Sequence, residues 1–353
     1  MTTTHPQRSA ESALLTQTAH ALFEQWTTTS DSWSTLENTG LTLVGIPEEL
    51  GGSGGTTADA AVIVHACAYH AVPAPITETL WLAAPLLAAT RLPIPSGPLT
   101  AAIGDRTSLR LTSIPHGAWR LDGTLHRVPW ARDARAVVIH IDDRVVVVDP
   151  SHASLVAGAN LAGEPRDDLV FDGVTMTDDV VVAAPATFDP ALHAAHARTV
   201  QLTGAAQRAL DLSVRYAGER VQFGRPIARF QVVQQYLSTI AGEVALMSLA
   251  ARSALRAGTD SGDARAAVAA ARITAARGAG IVAELAHQIH GAIGTTEEHD
   301  LHTATRRLWA WREEHGNEHT WARTLGKRAS ASDPWEFVTS LRRCAVRPTE
   351  EAP

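Results

Sequence analysis

The sequence predicts an α+β protein: helices first, then a compact antiparallel β domain, then a four-helix bundle. Apolar residues recur at helical spacing up to about residue 88 and again beyond residue 187, whereas between those limits the period shortens to two. Runs dense in proline and glycine fall near the changes of period. The expected boundaries are 1–98, 99–186 and 187–345, with a disordered tail over 346–353.

In the first part, Leu14, Leu15, Leu22 and Phe23 mark one helix, and the Ala/Val-rich stretch from Ala58 to Ala71 marks a second. Between them Ile46-Pro47-Glu48-Glu49-Leu50-Gly51-Gly52-Ser53-Gly54-Gly55 must break any helix and forms a hinge loop. The run Leu92-Pro93-Ile94-Pro95-Ser96-Gly97-Pro98 can neither continue a helix nor pair freely in a sheet, so it ends this part. Beyond it Leu109, Leu111 and Ser113 alternate with Arg110 and Thr112, and Trp119-Arg120-Leu121 runs into an Asp122-Gly123 turn. Further strands are expected over 136–141, 144–148, 168–171 and 180–182, separated by Asp142-Asp143, Asp149-Pro150 and Asp172-Gly173.

Strands are expected to cease from Thr187 onward. Leu202, Ala206, Leu210, Val214 and Ala217 define one helix face. Val233, Leu237, Ile240, Val244, Met247 and Ala251 step by 4, 3, 4, 3 and 4 residues, the seam of a helix bundle. Ala264 to Ile289 supplies a third helix, and Thr296 to about Arg312 a fourth.

Composition narrows the function. The 353 residues are 45% apolar and 19% charged, enough apolar matter for a large core. Thirty basic against 37 acidic residues leave a net charge of −7 with no basic block, so no nucleic-acid partner is expected. Cys67 and Cys344 lie far apart in sequence and point to a reducing compartment. The first residues lack a charged stretch leading into an apolar one, and no segment approaches ~18 uninterrupted apolar residues. No membrane span is expected, and the cytoplasm is the expected location.

Two segments stand out chemically. The first is Arg215-Tyr216-Ala217-Gly218-Glu219-Arg220-Val221-Gln222-Phe223-Gly224-Arg225-Pro226-Ile227-Ala228-Arg229-Phe230-Gln231: a helix ending near Arg220, a Gly-Arg-Pro turn, and a new helix entered at Phe230. Read locally, Arg220 is a cation at a helix C-terminus and Phe223 fills core. The second runs from Gln288-Ile289-His290-Gly291-Ala292-Ile293-Gly294-Thr295-Thr296-Glu297-Glu298-His299 to Arg306-Arg307. Gly291 and Gly294 end one helix, and Thr295 with Glu298 forms a capping box that starts the next. That leaves Gln288 and the paired glycines free to meet a ligand.

Together with the 46–55 loop, these segments resemble the acyl-CoA dehydrogenase family, whose proteins run helical domain, β domain, four-helix domain in that order. The resemblance covers nearly the whole chain, with the two motifs in the family's order about 65 residues apart. It implies FAD as cofactor, lying in a groove of the β domain with the adjacent subunit's helical domain completing the site. It further implies that Arg220 pairs with the pyrophosphate, where a guanidinium fork suits phosphate oxygens. Phe223 and Gln231 would line the adenosine end, and Gln288 with Gly291 would let backbone approach the cofactor closely.

The departures from the family pattern point one way. Family members usually open the β domain with Thr-Glu-x-x-x-Gly-Ser-Asp and place Trp-x-Thr/Ser beside the flavin ring. Here those places hold Leu99-Thr100-Ala101-Ala102-Ile103-Gly104-Asp105 and Arg127-Val128-Pro129, and proline has no amide hydrogen to offer. Family chemistry removes the α proton of an acyl thioester with a carboxylate while FAD takes hydride from the β carbon. Counting from Gln288 puts His315 at the usual base position, and counting back from Phe223 puts Ala194 at the alternative one. Neither is a carboxylate. Glu313 and Glu314 stand beside His315; their plain reading is a solvated helix end, and Glu314 is the fallback base.

These features resemble the subunit without the base in bacterial heterotetrameric, steroid-type acyl-CoA dehydrogenases, built from two unlike short chains. By that resemblance the partners are a homologous subunit carrying the carboxylate, the acyl-CoA substrate and an electron-transfer acceptor. Three alternatives stand beside it: a self-sufficient homomeric enzyme using Glu314, a structural subunit without cofactor, and a metal hydrolase built on His287, His290, His299 and His302. The spacing of those histidines matches no defined ligand set, so no metal is expected.

Overall fold

A computed structural model describes residues 4–26, 32–258 and 262–331, together with positions 333, 335 and 337. The expected tail over 346–353 and Cys344 lie outside the described residues. The chain forms two compact units, one of residues 1–66 and 72–194 and one of residues 67–71 and 195–353.

The first unit joins helices to two four-stranded sheets. Its helices are α1 (Thr4–Glu24), α2 (Ser32–Asn38), most of α3 (Thr57–Tyr69), and a π-helical stretch Glu78–Ala83 that continues into α4 (Ala84–Thr90). One sheet has the order β1 (Leu99–Ile103), β4 (Ala136–Ile141), β5 (Arg144–Val148), β8 (Val181–Ala183). The other has β2 (Leu109–Ile114), β3 (Ala118–Pro129), β7 (Arg166–Thr177), β6 (Ser154–Val156). Leu121, Leu125, Val137, Ile139, Val146, Leu169 and Phe171 fill the space between the sheets. Ala136 and Val138, on the other face of β4, pack with Leu86, Leu87 and Leu99. Burial on both faces explains why β4 opens on the unbroken apolar run Ala136-Val137-Val138-Ile139. The Thr79 hydroxyl donates to the Leu99 carbonyl and accepts its N–H, both at 2.9 Å, tying the π-helix to β1. The expected boundary at 98/99 therefore falls inside one packed unit.

Three strand-level expectations are corrected. β1 pairs parallel with β4, because the β2–β3 hairpin lies between them in sequence and carries the chain across. Neither Asp122-Gly123 nor Asp172-Gly173 is a turn: both lie inside long strands, at the point where the β3–β7 register shifts. Asp-Gly suits the positive φ of a bulge as well as that of a turn, and Gly123 and Gly173 have φ of 112° and 64°. The reversal between β2 and β3 falls instead at His116-Gly117, both with positive φ.

The second unit contains most of α5 (Pro190–Glu219), then α6 (Gln231–Ala257), α7 (Gly262–His290), α8 (Leu301–Trp311) and α9 (Glu318–Ser330). The α6 seam is buried at Ile240, Val244, Met247 and Ala251. On α5 the buried face runs through Leu202, Ala206, Ala209, Ser213 and Ala217, while Val214 is exposed, so that face is rotated from the expected one. Strands do recur beyond Thr187: Val221–Gln222 (β9) and Arg225–Pro226 (β10) pair antiparallel. The helix from Ala264 to Thr295 is long and apolar enough to cross a membrane, but its apolar window is mostly buried inside the protein, as in a core helix.

Candidate functional site

The first cofactor segment is a hairpin set on the end of α5. Arg220 lies one residue past the helix; its N–H donates to the Tyr216 carbonyl and its own carbonyl accepts from Ile227 N, both at 2.8 Å. The backbone is thus fixed, while among the described residues nothing pairs with the exposed guanidinium. Phe223 and Gly224 turn the chain with φ of 52° and 77°, which leaves Phe223 91% exposed rather than in the core. Only its edge meets Phe230, 6.0 Å between centroids, and Arg225 covers the Phe230 ring at 4.4 Å. Gln231, exposed, opens α6.

The second segment is the end of α7. Gln288 is exposed on its last turn, and Gly291 follows with φ 65° and open space where a Cβ would stand. Gly294 does not face a ligand. A Cβ there would lie 2.9 Å from both His290 Cβ and Leu301 Cδ2, so this glycine lets the turn pack against the helix. Gly294→Ala is expected to cost about 1–3 kcal/mol by overpacking, read as a lower Tm. The expected capping box is absent too. Thr295 Oγ1 donates to the Ala292 carbonyl at 2.8 Å, and α8 begins only at Leu301 with no side-chain cap from Asp300.

Behind Gly291, three rings pack together. His290 stacks on Tyr216 at 4.5 Å, and His299 meets His290 at 4.6 Å and Tyr216 at 5.8 Å, both edge-on. His290 Nδ1 contacts the Ala286 carbonyl at 2.8 Å, which makes it the protonated nitrogen, and Nε2 is buried. Burial pushes this imidazole down to about 4. His299 accepts the Leu301 N–H on Nδ1, and His287 Nε2 contacts Thr305 Oγ1 at 2.8 Å. Among the described residues no three His, Cys, Asp or Glu side chains converge on a metal position.

The carboxylates beside the base position are not alike. Glu313 is exposed and pairs with Arg312 at 3.2 Å. Glu314 is no solvated helix end: its side chain is only 12% exposed and accepts from the fully buried Arg198 Nε at 2.9 Å. Arg198 also bonds Gln201. Arg272, fully buried, sends Nη2 to the carbonyls of Trp311, Arg312 and Glu314 at 2.8–3.0 Å, satisfying orphan acceptors at the end of α8. His315 (φ 53°) and Gly316 (φ 87°) complete the turn, and Trp321 Nε1 donates to the His315 carbonyl at 3.1 Å. Ala194, at the alternative base position, is buried on α5. Sequence reading missed Arg198 and Arg272; an arginine amid the apolar residues of each helix was the available signal.

In the first unit, the stretch Arg127-Val128-Pro129 contains a bulge clamped by Asp168. That carboxylate accepts the Arg127 N–H at 2.7 Å and contacts His126 Nδ1 at 3.0 Å, bonds that hold it below the usual carboxylate range. Val128 is buried, and the Pro129 carbonyl accepts the Thr100 hydroxyl at 2.6 Å. With one amide spent and another missing, Arg127 and Pro129 offer no backbone donor to a flavin ring.

Residues 192–330 match the acyl-CoA dehydrogenase C-terminal domain family. That stretch is an acyl-CoA dehydrogenase C-terminal domain. It is 29% identical over 273 residues to the acyl-CoA dehydrogenase IpdE2 of Mycobacterium tuberculosis, covering 77% of each chain. Its fold matches a chain of the ChsE4-ChsE5 complex from Mycobacterium tuberculosis, with TM-score 0.82 and 22% identity over 94% of this chain and 99% of that one. It also matches the Tcur3481-Tcur3483 steroid ACAD, with TM-score 0.81 and 23% identity over 92% and 99%. The family is FAD-dependent. Unpaired Arg220, outward-facing Phe223 and open Gly291 fit the adenosine diphosphate portion of FAD. The Arg127–Pro129 bulge does not fit the family's flavin-ring contact.

Proposed function

We propose that this chain is a subunit of a heteromeric, FAD-dependent acyl-CoA dehydrogenase, contributing part of the cofactor site and no catalytic base. The observation that carries this reading is the commitment of Glu314, the one largely buried carboxylate beside the base position, to the buried guanidinium of Arg198. The clamped bulge at Arg127 adds to it from the flavin side. So does likeness to chains of assemblies named for two components, ChsE4-ChsE5 and Tcur3481-Tcur3483.

In this reading, bound FAD would supply the acceptor for the hydride that leaves the β carbon of an acyl-CoA thioester. The α proton passes to a carboxylate on a homologous partner subunit, and a separate electron-transfer acceptor receives the electrons. This chain's Arg220 neutralises pyrophosphate charge, Phe223 and Gln231 border the adenosine, and Gln288 with Gly291 admits the cofactor close to backbone. Likeness to the Tcur3481-Tcur3483 steroid ACAD supports a substrate among steroid side-chain or related catabolic thioesters. The cytoplasm remains the proposed compartment.

The chain purified alone should be nearly colourless and turn yellow when co-expressed with a base-carrying homologue, as read by flavin absorbance and subunit stoichiometry. Stoichiometric FAD with full turnover in an oligomer of this chain alone would establish the homomeric enzyme instead. A complex that assembles without flavin would establish a structural subunit.

A further inference from the structure

We infer that the Tyr216–His290–His299 ring cluster is a positioning device that sets the spacing of the two cofactor segments, an inference resting on the FAD site proposed above. Tyr216 lies one helical turn before Arg220, whose N–H hangs on the Tyr216 carbonyl at 2.8 Å. His290 immediately precedes Gly291 and lies two residues after Gln288. One face-to-face contact of 4.5 Å therefore joins the end of α5, which carries Arg220 and Phe223, to the end of α7, which carries Gln288 and Gly291. The edge of His299 closes the third side, and its Nδ1 accepts the Leu301 N–H, which anchors the ring to the start of α8.

The polar atoms of the cluster fit this role and no catalytic one. His290 uses Nδ1 on its own helix and buries a bare Nε2 that meets no donor among the described residues, so the ring acts as a flat plate. Gly294 gives the turn after Gly291 the close approach to His290 that keeps the plate covered. Tyr216 and His290 thus act through Arg220 and Gly291, without touching the cofactor themselves.

The test is FAD titration, followed by flavin fluorescence, of the protein purified with its partner, or as its own oligomer if it assembles alone. Tyr216→Ala and His290→Ala should each weaken FAD binding at least tenfold at a temperature where the variants stay folded. Tyr216→Phe and His290→Phe, which keep a flat ring, should restore affinity to within about twofold. Met247→Ala, a core change in the α6 seam, serves as a control for general destabilisation and should leave affinity unchanged. Equal loss of affinity in Met247→Ala at a matched Tm would overturn the inference, as would no rescue by phenylalanine. Loss with Arg220→Ala alone overturns the coupling and leaves the site standing, whereas no loss with any of the three variants overturns the site itself.

Discussion

Replacing Arg220 with alanine is expected to strip FAD from the proposed complex. The guanidinium is fixed by its backbone yet engaged by nothing among the described residues, so the substitution removes little from the fold itself. In the proposed site it would remove a charge-assisted pair with pyrophosphate, worth on the order of 1.5–3 kcal/mol, or roughly a 10- to 150-fold weaker affinity. Arg220→Lys should recover only part, because an ammonium keeps the charge and loses the fork. Flavin content per subunit after gel filtration, with Tm measured alongside, checks this. Unchanged flavin and unchanged Tm would return Arg220 to the role of a cation at the end of α5.

Glu314→Gln should damage the fold far more than the chemistry. It leaves Arg198, fully buried, without its carboxylate, and breaking one side of a buried pair costs about 3–5 kcal/mol. Against a total stability of roughly 5–15 kcal/mol that is a large fall in Tm, and the variant can fail to accumulate. The double substitution Arg198→Met with Glu314→Leu removes both charges and should recover most of the loss. At full flavin occupancy the double variant of the complex should turn over within about threefold of the parent, as should Glu313→Gln and His315→Ala, a change below ~0.7 kcal/mol in barrier. General base catalysis contributes roughly a hundredfold or more, so a true α-proton base cannot be so tolerant. A folded, flavin-loaded double variant that has lost a hundredfold in rate would make Glu314 the base and the enzyme self-sufficient.

The Arg220 and Glu314 cases differ in how much of each was visible in the sequence. Arg220, Phe223 and Gln288 belong to contiguous motifs whose local conformation follows from their own residues. Glycine beside phenylalanine makes a tight turn, and a helix ends where glycine follows it. Glu314 stood in the sequence as one of two adjacent acids, and its partner is 116 residues away on α5. No local pattern separates it from Glu313, which is solvent-exposed. The same gap explains Gly294, legible as a helix terminator but used as a packing position against His290 and Leu301.

By itself the sequence determined the order of helix and strand, the α6 seam and both family motifs, because side-chain period and turn chemistry are properties of neighbouring residues. Tertiary structure alone decided that Asp122-Gly123 and Asp172-Gly173 are bulges rather than turns, since a bulge exists only against a partner strand. It also decided the parallel pairing of β1 with β4, the rotated buried face of α5 that exposes Val214, and the commitment of Glu314 to Arg198. In each case the deciding contact comes from an element distant in sequence, and burial, which sets the energy of a polar or apolar side chain, is fixed by what packs over it.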